Sequence, residues 1–163
     1  MFCADGMVAR ISSVRALRNI SQAELAQALG VSQPRISQLE RKPVSHGVET
    51  ELIHKLAVVL STGPALLAYG DFDDVIPPAE PAWDHKAFTE RMSRAMDVTG
   101  YADAVLAEAV QLRFNRQIHA TLGLLRIWRD PDTLDPRVNS RDVAMFADVI
   151  GVRPGWLAFG VEP

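Results

Sequence analysis

One cysteine, Cys3, is all the chain has. No disulfide can close within it, and no cysteine–histidine set suggests zinc. The histidines His46, His54, His85 and His119 fall at no metal-ligand spacing. A glycine-rich phosphate loop is missing, as are GxSxG and HExxH. The usual marks of phosphoryl transfer, acyl transfer and zinc proteolysis are therefore lacking, and Cys3 and the serines have no base near them in sequence. Neither enzymatic activity nor a metal or cofactor is expected. No apolar run approaches the about 18 residues of a membrane helix. The opening MFCADGMVAR lacks the basic-then-apolar order of a signal peptide. A reducing cytoplasm is the expected compartment, with no membrane partner.

What the chain does have is apolar mass. Of its 163 residues, 48% are hydrophobic, enough for a packed core in one domain or two small ones. The net charge of −3 is unevenly divided. Residues 1–70 carry seven Lys or Arg against five Asp or Glu, and residues 71–163 carry ten against fifteen. The basic excess sits in the first part.

The most informative stretch is QAELAQALGVSQPRISQLER, Gln22 to Arg41. Leu25, Ala26 and Leu29 make one apolar face, and Val31, Ile36 and Leu39 another. Helices of about two turns are not stable alone, so these two must pack on each other and on a third element. Ala26 is small where two helix backbones would cross. Gly30 can take positive φ, ending the first helix and redirecting the chain. This is the pattern of a helix-turn-helix, which holds its second helix out for a DNA major groove.

The stretch resembles the helix-turn-helix of the Cro and lambda-repressor-like proteins, the XRE family. Gln22 opens the motif, Ala26 is the small residue, Gly30 is the turn glycine followed by Val31, and Ile36 and Leu39 anchor the recognition helix. The resemblance covers roughly residues 8–70, from a leading helix ending in VRALRN through SQLERKP. It implies an all-α fold and a bacterial or phage-encoded, nucleoid-associated regulator, in this family most often a repressor. Such a protein would bind double-stranded DNA as a homodimer.

Residues 8–20 read as a first helix, with Val8, Ile11, Val14 and Leu17 near helical spacing. Ser21 and Glu24 form a capping box for the second helix. Ser32 is placed to cap the third, Pro34 falls in its first turn, and Pro43 stops it. Val48 to Leu60 reads as a fourth helix with Leu52, Leu56 and Leu60 on one face. Pro64 to Tyr69 reads as a short fifth helix closed by Gly70. Residues 71–84, DFDDVIPPAEPAWD, are rich in proline and acid and read as a semi-extended linker.

The second part echoes the first. KLAVVLSTGPALLAYG at 55–70 matches MFADVIGVRPGWLAFG at 145–160 at an offset of ninety. Proline opening and glycine closing a short helix is a structural signature, so a duplicated fold is expected. Trp156, inside that element, is assigned to the core. Leu106, Ala107 and Val110 resemble the second helix of the motif, but Gln111 stands where Gly30 would. The copied recognition region lies either in RFNRQIHATL or in TLGLLRIWRD. The architecture expected is two lambda-repressor-like helical modules, 1–70 and 85–163, joined by the acidic proline-rich linker 71–84.

On the third helix the non-core positions are Gln33, Pro34, Arg35, Ser37, Gln38 and Arg41. Glutamine bonds adenine bidentately, and arginine bonds guanine or phosphate. The resemblance implies that Gln33, Pro34, Ser37 and Gln38 face bases, leaving Arg35 and Arg41 for phosphates. It implies that Gln22 bonds a phosphate and braces the first recognition side chain. Ser32, and Lys42 beside His46 in the following loop, complete the expected DNA-facing set. Glu40 would be repelled by phosphate and is read as a partner of Arg15 or Arg18. Arg113, Arg116, Arg126 and Arg129 recur on a stretch read as helical. They are either a second DNA contact or the solvated edge of a core or dimer helix, and the acidic balance and lost glycine favour the second. The expected function is sequence-specific transcriptional regulation, by a dimer occluding a promoter at a pseudo-palindrome. The second module would dimerise the chain, or both modules would act in tandem on one site. The alternative is an antitoxin or adaptor whose second module binds a partner protein, with autoregulatory DNA binding.

Overall fold

The computed structural model describes residues 4–41, 47–70, 84–133 and 137–160. Lys42, Pro43, His46, Cys3 and positions 71–83 of the expected linker lie outside the described residues. The described chain is helical: α1 Ala4–Leu17, α2 Gln22–Leu29, α3 Gln33–Arg41, α4 Thr50–Val59 and α5 Pro64–Tyr69 come first. They are followed by α6 His85–Thr99, α7 Asp103–Phe114, α8 Ile118–Trp128, α9 Ser140–Ile150 and α10 Pro154–Phe159. None of the described helices is long and apolar enough to cross a membrane.

Local signals set most boundaries. Ser21 Oγ accepts from Glu24 N at 3.1 Å, and the Glu24 carboxylate accepts from Ser21 N at 2.7 Å. Two of the orphan amides at the start of α2 are thereby satisfied. α5 runs from Pro64 to a left-handed Gly70, as its sequence predicts. Three expectations need correction. α1 starts earlier and stops at Leu17, and its buried face is Met7 and Ile11 rather than Val8 and Leu17. A three-residue spacing drifts 60° per step around an α-helix, so the Val8–Leu17 row crosses from one face to the opposite one. Leu17 is 80% exposed. α4 starts at Thr50, because the backbone of Val48 and Thr50 bonds across to Ser140 and Val138 instead. Its fully buried residues are Ile53, Leu56 and Ala57, followed by Leu60, while Leu52 is half-buried. Asp84, assigned to the linker, caps α6 by accepting from Ala87 N at 3.0 Å.

α1–α5 enclose one buried cluster around Met7, Ile11, Leu25, Ile36, Ile53 and Leu56. α6–α10 enclose another around Phe88, Met92, Leu106, Leu125, Trp128 and Phe146. Each fully buried side chain of this size contributes about 1.5–3 kcal/mol. Tyr69 and Phe159 pack against both clusters. The helix contacts recur in order: α1 with α3 and α5, α2 with α3 and α4, and α4 with α5 are answered by α6 with α8 and α10, α7 with α8 and α9, and α9 with α10. α5 also packs on α10.

In the second set, Leu106, Ala107 and Val110 are buried on α7. The helix does not turn at Gln111. It continues one more turn to Phe114 and is closed by Asn115 at φ 52. Asparagine tolerates this left-handed state better than other non-glycine residues. α8 straddles the two candidate windows and buries Thr121, Leu125 and Trp128. The core tryptophan is Trp128, edge-on to Phe88 at 5.2 Å and to Phe146 at 5.0 Å. Trp156 is only partly buried against that cluster. On the six-residue α10 the fully buried places are taken by Leu157 and Ala158, which leaves Trp156 at the edge of the cluster.

Candidate nucleic-acid interface

Gly30 makes the turn. Its φ of 66 and ψ of 29 are left-handed, and its N–H bonds back to the carbonyls of Ala26 and Gln27. Val31 N then donates to Ala26 O at 3.0 Å. Ala26, 3% exposed, lets α2 and α3 approach, while Ile36 and Leu39 seat α3 on the core. The opposite face of α3 is left to solvent: Gln33, Pro34, Arg35, Gln38 and Arg41 are exposed and Ser37 is half-buried. Ser32 is exposed just before the helix, and its carbonyl accepts from Arg35 N at 3.0 Å.

A polar chain runs beneath this face. Arg15 Nη1 donates to Ile20 O at 2.7 Å, which ties α1 to the segment leading into α2. The same guanidinium grips Glu40 with two bonds, Nε to Oε1 at 2.6 Å and Nη2 to Oε2 at 3.0 Å. Such a bidentate pair is stronger than two neutral bonds. Of the two arginines considered for Glu40, it takes Arg15. Arg18 donates to Ser61 O instead, at 3.0 Å. Gln22 Nε2 donates to Glu40 Oε2 at 2.8 Å, and Gln33 Nε2 donates to Gln22 Oε1 at 3.2 Å. Since one N–H of Gln22 Nε2 goes to the carboxylate, the amide oxygen is turned toward Gln33, and the second N–H is not used in this chain of bonds.

The electrostatics favour an anionic ligand above α3. Burial by itself pushes the Glu40 carboxyl upward. Hydrogen bonds from Arg15 and Gln22, with the Arg15 charge, outweigh that and hold it below the ordinary glutamate value. Glu40 is thus an ionised carboxylate whose charge is met at short range by Arg15, with its side chain only 4% exposed. Among the described residues, no ion pair engages Arg35 or Arg41.

The second set of helices differs here. Arg113 lies in the last turn of α7 and Arg116 between the helices, so the four arginines do not share one helix. Arg113 pairs with Asp148 at 2.6 Å, Arg129 with Asp103 at 2.5 Å, and Arg116 with the buried Asp142. Only Arg126 of the four is exposed without a described acidic partner. The outward residues of α8 include His119, Ala120, Gly123 and Ile127, with no glutamine among them.

Residues 11–67 match the family model described as Helix-turn-helix. No curated protein and no solved structure gives a significant match. The matched stretch spans α2, the Gly30 turn and α3. It is a helix-turn-helix domain of the XRE, Cro and lambda-repressor-like, kind. Through it the chain is a DNA-binding transcription regulator.

Three positioning features were missed in the sequence. Asn115 replaces the turn glycine four residues late, and only its tolerance of left-handed φ hinted at this. Arg10 bonds the carbonyls of Leu67 and Ala68 at 3.0 and 2.8 Å, and Arg91 does the same to Leu157 and Ala158 at the same distances. The arginines lie 81 apart and their acceptors 90 apart, so a search at one fixed offset passes over them. The third is the paired edge at 48–50 and 138–140.

Proposed function

We propose that α3 is the recognition helix of a sequence-specific repressor and enters a DNA major groove. Gln33, Pro34, Ser37 and Gln38 meet base edges, while Gln22, Ser32, Arg35, Arg41 and Lys42 meet phosphates. The observation that carries this reading is the Glu40–Gln22–Gln33 relay. It fixes the first recognition side chain before DNA arrives, which lowers the entropy lost on binding. Repression follows from occlusion of a promoter. A genome-wide binding profile of the tagged protein, beside a Gln33→Ala, Gln38→Ala variant, tests it. The wild type should give discrete sites sharing one motif and the variant should lose them; an unchanged profile would sink the assignment.

We infer the division into modules 1–70 and 85–163 about the segment 71–84 from the two buried clusters and the recurring packing order. A homodimer on a pseudo-palindrome is the usual way to double a helix-turn-helix contact, and it needs a free self-complementary face on each chain.

A second reading, an adaptor or antitoxin with autoregulatory DNA binding, draws on one observation. α7 and α8 expose large apolar side chains, Leu112 at 88% and Ile127 at 41%. Recovery of one stoichiometric protein partner, lost in a Leu112→Glu variant, would favour it.

A further inference from the structure

The contact between the two sets of helices is made of matched residues. Glu49 and Asn139, ninety apart, form an antiparallel bridge. Thr50 N donates to Val138 O and Ser140 N to Val48 O, both at 2.8 Å. Residue 48 meets the equivalent of 50, and 50 meets the equivalent of 48. Thr50 Oγ1 adds a bond to Val138 O at 3.0 Å, and Val48 N donates to Ser140 Oγ at 3.1 Å. Farther along the same seam Tyr69 faces Phe159, also ninety apart, at 6.4 Å, and α5 lies on α10. Gly47 and Arg137, the next matched pair, both have positive φ, 80 and 41. Contacts in which i meets j and j meets i are the mark of a two-fold interface between like surfaces. Here that interface lies within one chain. It is dry: Val48, Thr50, Val138 and Ser140 are each at most 5% exposed.

By the same operation α3 corresponds to α8, and their chemistry has diverged. α3 presents two glutamines and two arginines, whereas α8 presents His119, Ala120, Gly123, Arg126 and Ile127. Residues 84–160 carry ten Lys or Arg and ten Asp or Glu. The second set is electrically neutral, so it can lie near a duplex without adding phosphate attraction.

We propose that one chain is a complete, internally paired DNA-binding unit that reads a single asymmetric duplex element through α3. The self-complementary face through which two copies would pair is covered by residues 138–140 and α10 of the same chain. This rests on the α3 reading above, and it replaces the homodimer on a pseudo-palindrome with one chain on one element.

Selection from a pool of randomised duplexes by the full chain, with sedimentation velocity of the chain alone and on the recovered duplex, tests it. The expected result is a monomer, a consensus without inverted repeat, and one chain per duplex. A dimeric chain, or a palindromic consensus bound cooperatively by two chains, would overturn it. A Ser140→Pro variant gives an independent arm. Ser140 is the first residue of α9 and Asn139 before it is extended, so proline suits the helix. It deletes the bond to Val48 O and the hydroxyl that accepts from Val48 N, so Val48 loses both partners, while Thr50 keeps its bonds to Val138 O and the 48–50 edge itself is unaltered. Self-association should then strengthen at least about tenfold, and a variant that sediments as the wild type does, with the same melting temperature, would overturn the pairing. If a monomeric wild type recovers no motif, the α3 reading fails while the variant still decides the pairing.

Discussion

Gln22 holds Gln33 from the neighbouring helix: Gln33 Nε2 donates to Gln22 Oε1 at 3.2 Å, while Gln22 is itself held by Glu40 at 2.8 Å. The first side chain of α3 is therefore aimed by a residue eleven positions earlier. That residue's orientation depends on an ion pair rooted in α1.

Base preference should follow Gln33 and general affinity should follow Arg35. Gln33→Ala should cost about 1–3 kcal/mol at one base position and little on mismatched duplexes. Arg35→Ala should weaken all duplexes alike and reduce the salt slope by about one. Equal, small effects of both variants across a mobility-shift series would contradict the placement of α3.

Acid should weaken the relay. The Glu40 carboxyl is held below its ordinary value, so the unfolded chain binds its proton more readily than the folded one. The stabilisation is complete above the unfolded value of about 4.3 and is lost as pH falls through the lower folded value. Glu40→Gln should cost about 2–3 kcal/mol near neutrality and flatten the fall of melting temperature below about pH 5. A variant with the parental acid limb would show that Glu40 does not carry this dependence.

At the turn only backbone conformation is at stake. A Cβ on Gly30 would meet nothing within 4 Å, so the cost of a side chain comes from φ alone. Gly30→Val should lose about 1–3 kcal/mol, with weakened DNA binding. Gly30→Asn should lose less, since Asn115 adopts the same state at the end of α7. Calorimetry that ranks asparagine below valine would refute this geometry.

Gly47 faces a harder limit. Its φ is positive, and a Cβ there would lie 2.8 Å from the backbone nitrogen of Arg141, which cannot swing aside. Gly47→Ala should therefore destabilise the chain more than Gly30→Ala, whose cost is about 1–2 kcal/mol of left-handed strain. Matched thermal melts decide the order, and an equal or smaller loss at Gly47 would mean that the 48–50 edge is not closely packed.

Signals within four or five residues were legible without coordinates. Ser21 with Glu24, Gly30, Pro64 and Gly70 each act on backbone groups of their own helix end, so composition alone announces them. The α2–α3 register was readable for the same reason, because Ala26, Gly30, Ile36 and Leu39 must fall on facing stripes for so short a pair to persist. The exposed set on α3 followed by subtraction of that stripe.

What tertiary structure decided lies where a distant partner competes with local preference. Val48 and Glu49 have a helical pattern, yet the backbone groups of Val48 and Thr50, on either side of Glu49, bond to residues about ninety positions away. α7 runs past Gln111 since nothing there forces a turn, and Asn115 ends it one turn later. Glu40 had two arginines within reach by sequence, and only the packing of α1 against α3 selects Arg15. The chain's own order determined a helix-turn-helix and the exposed face of α3, because caps, turns and stripes are short-range. Its pairing with a second, altered set of helices was left to the fold, because hydrogen bonds between far segments depend on which surfaces meet and leave no periodic mark in the sequence.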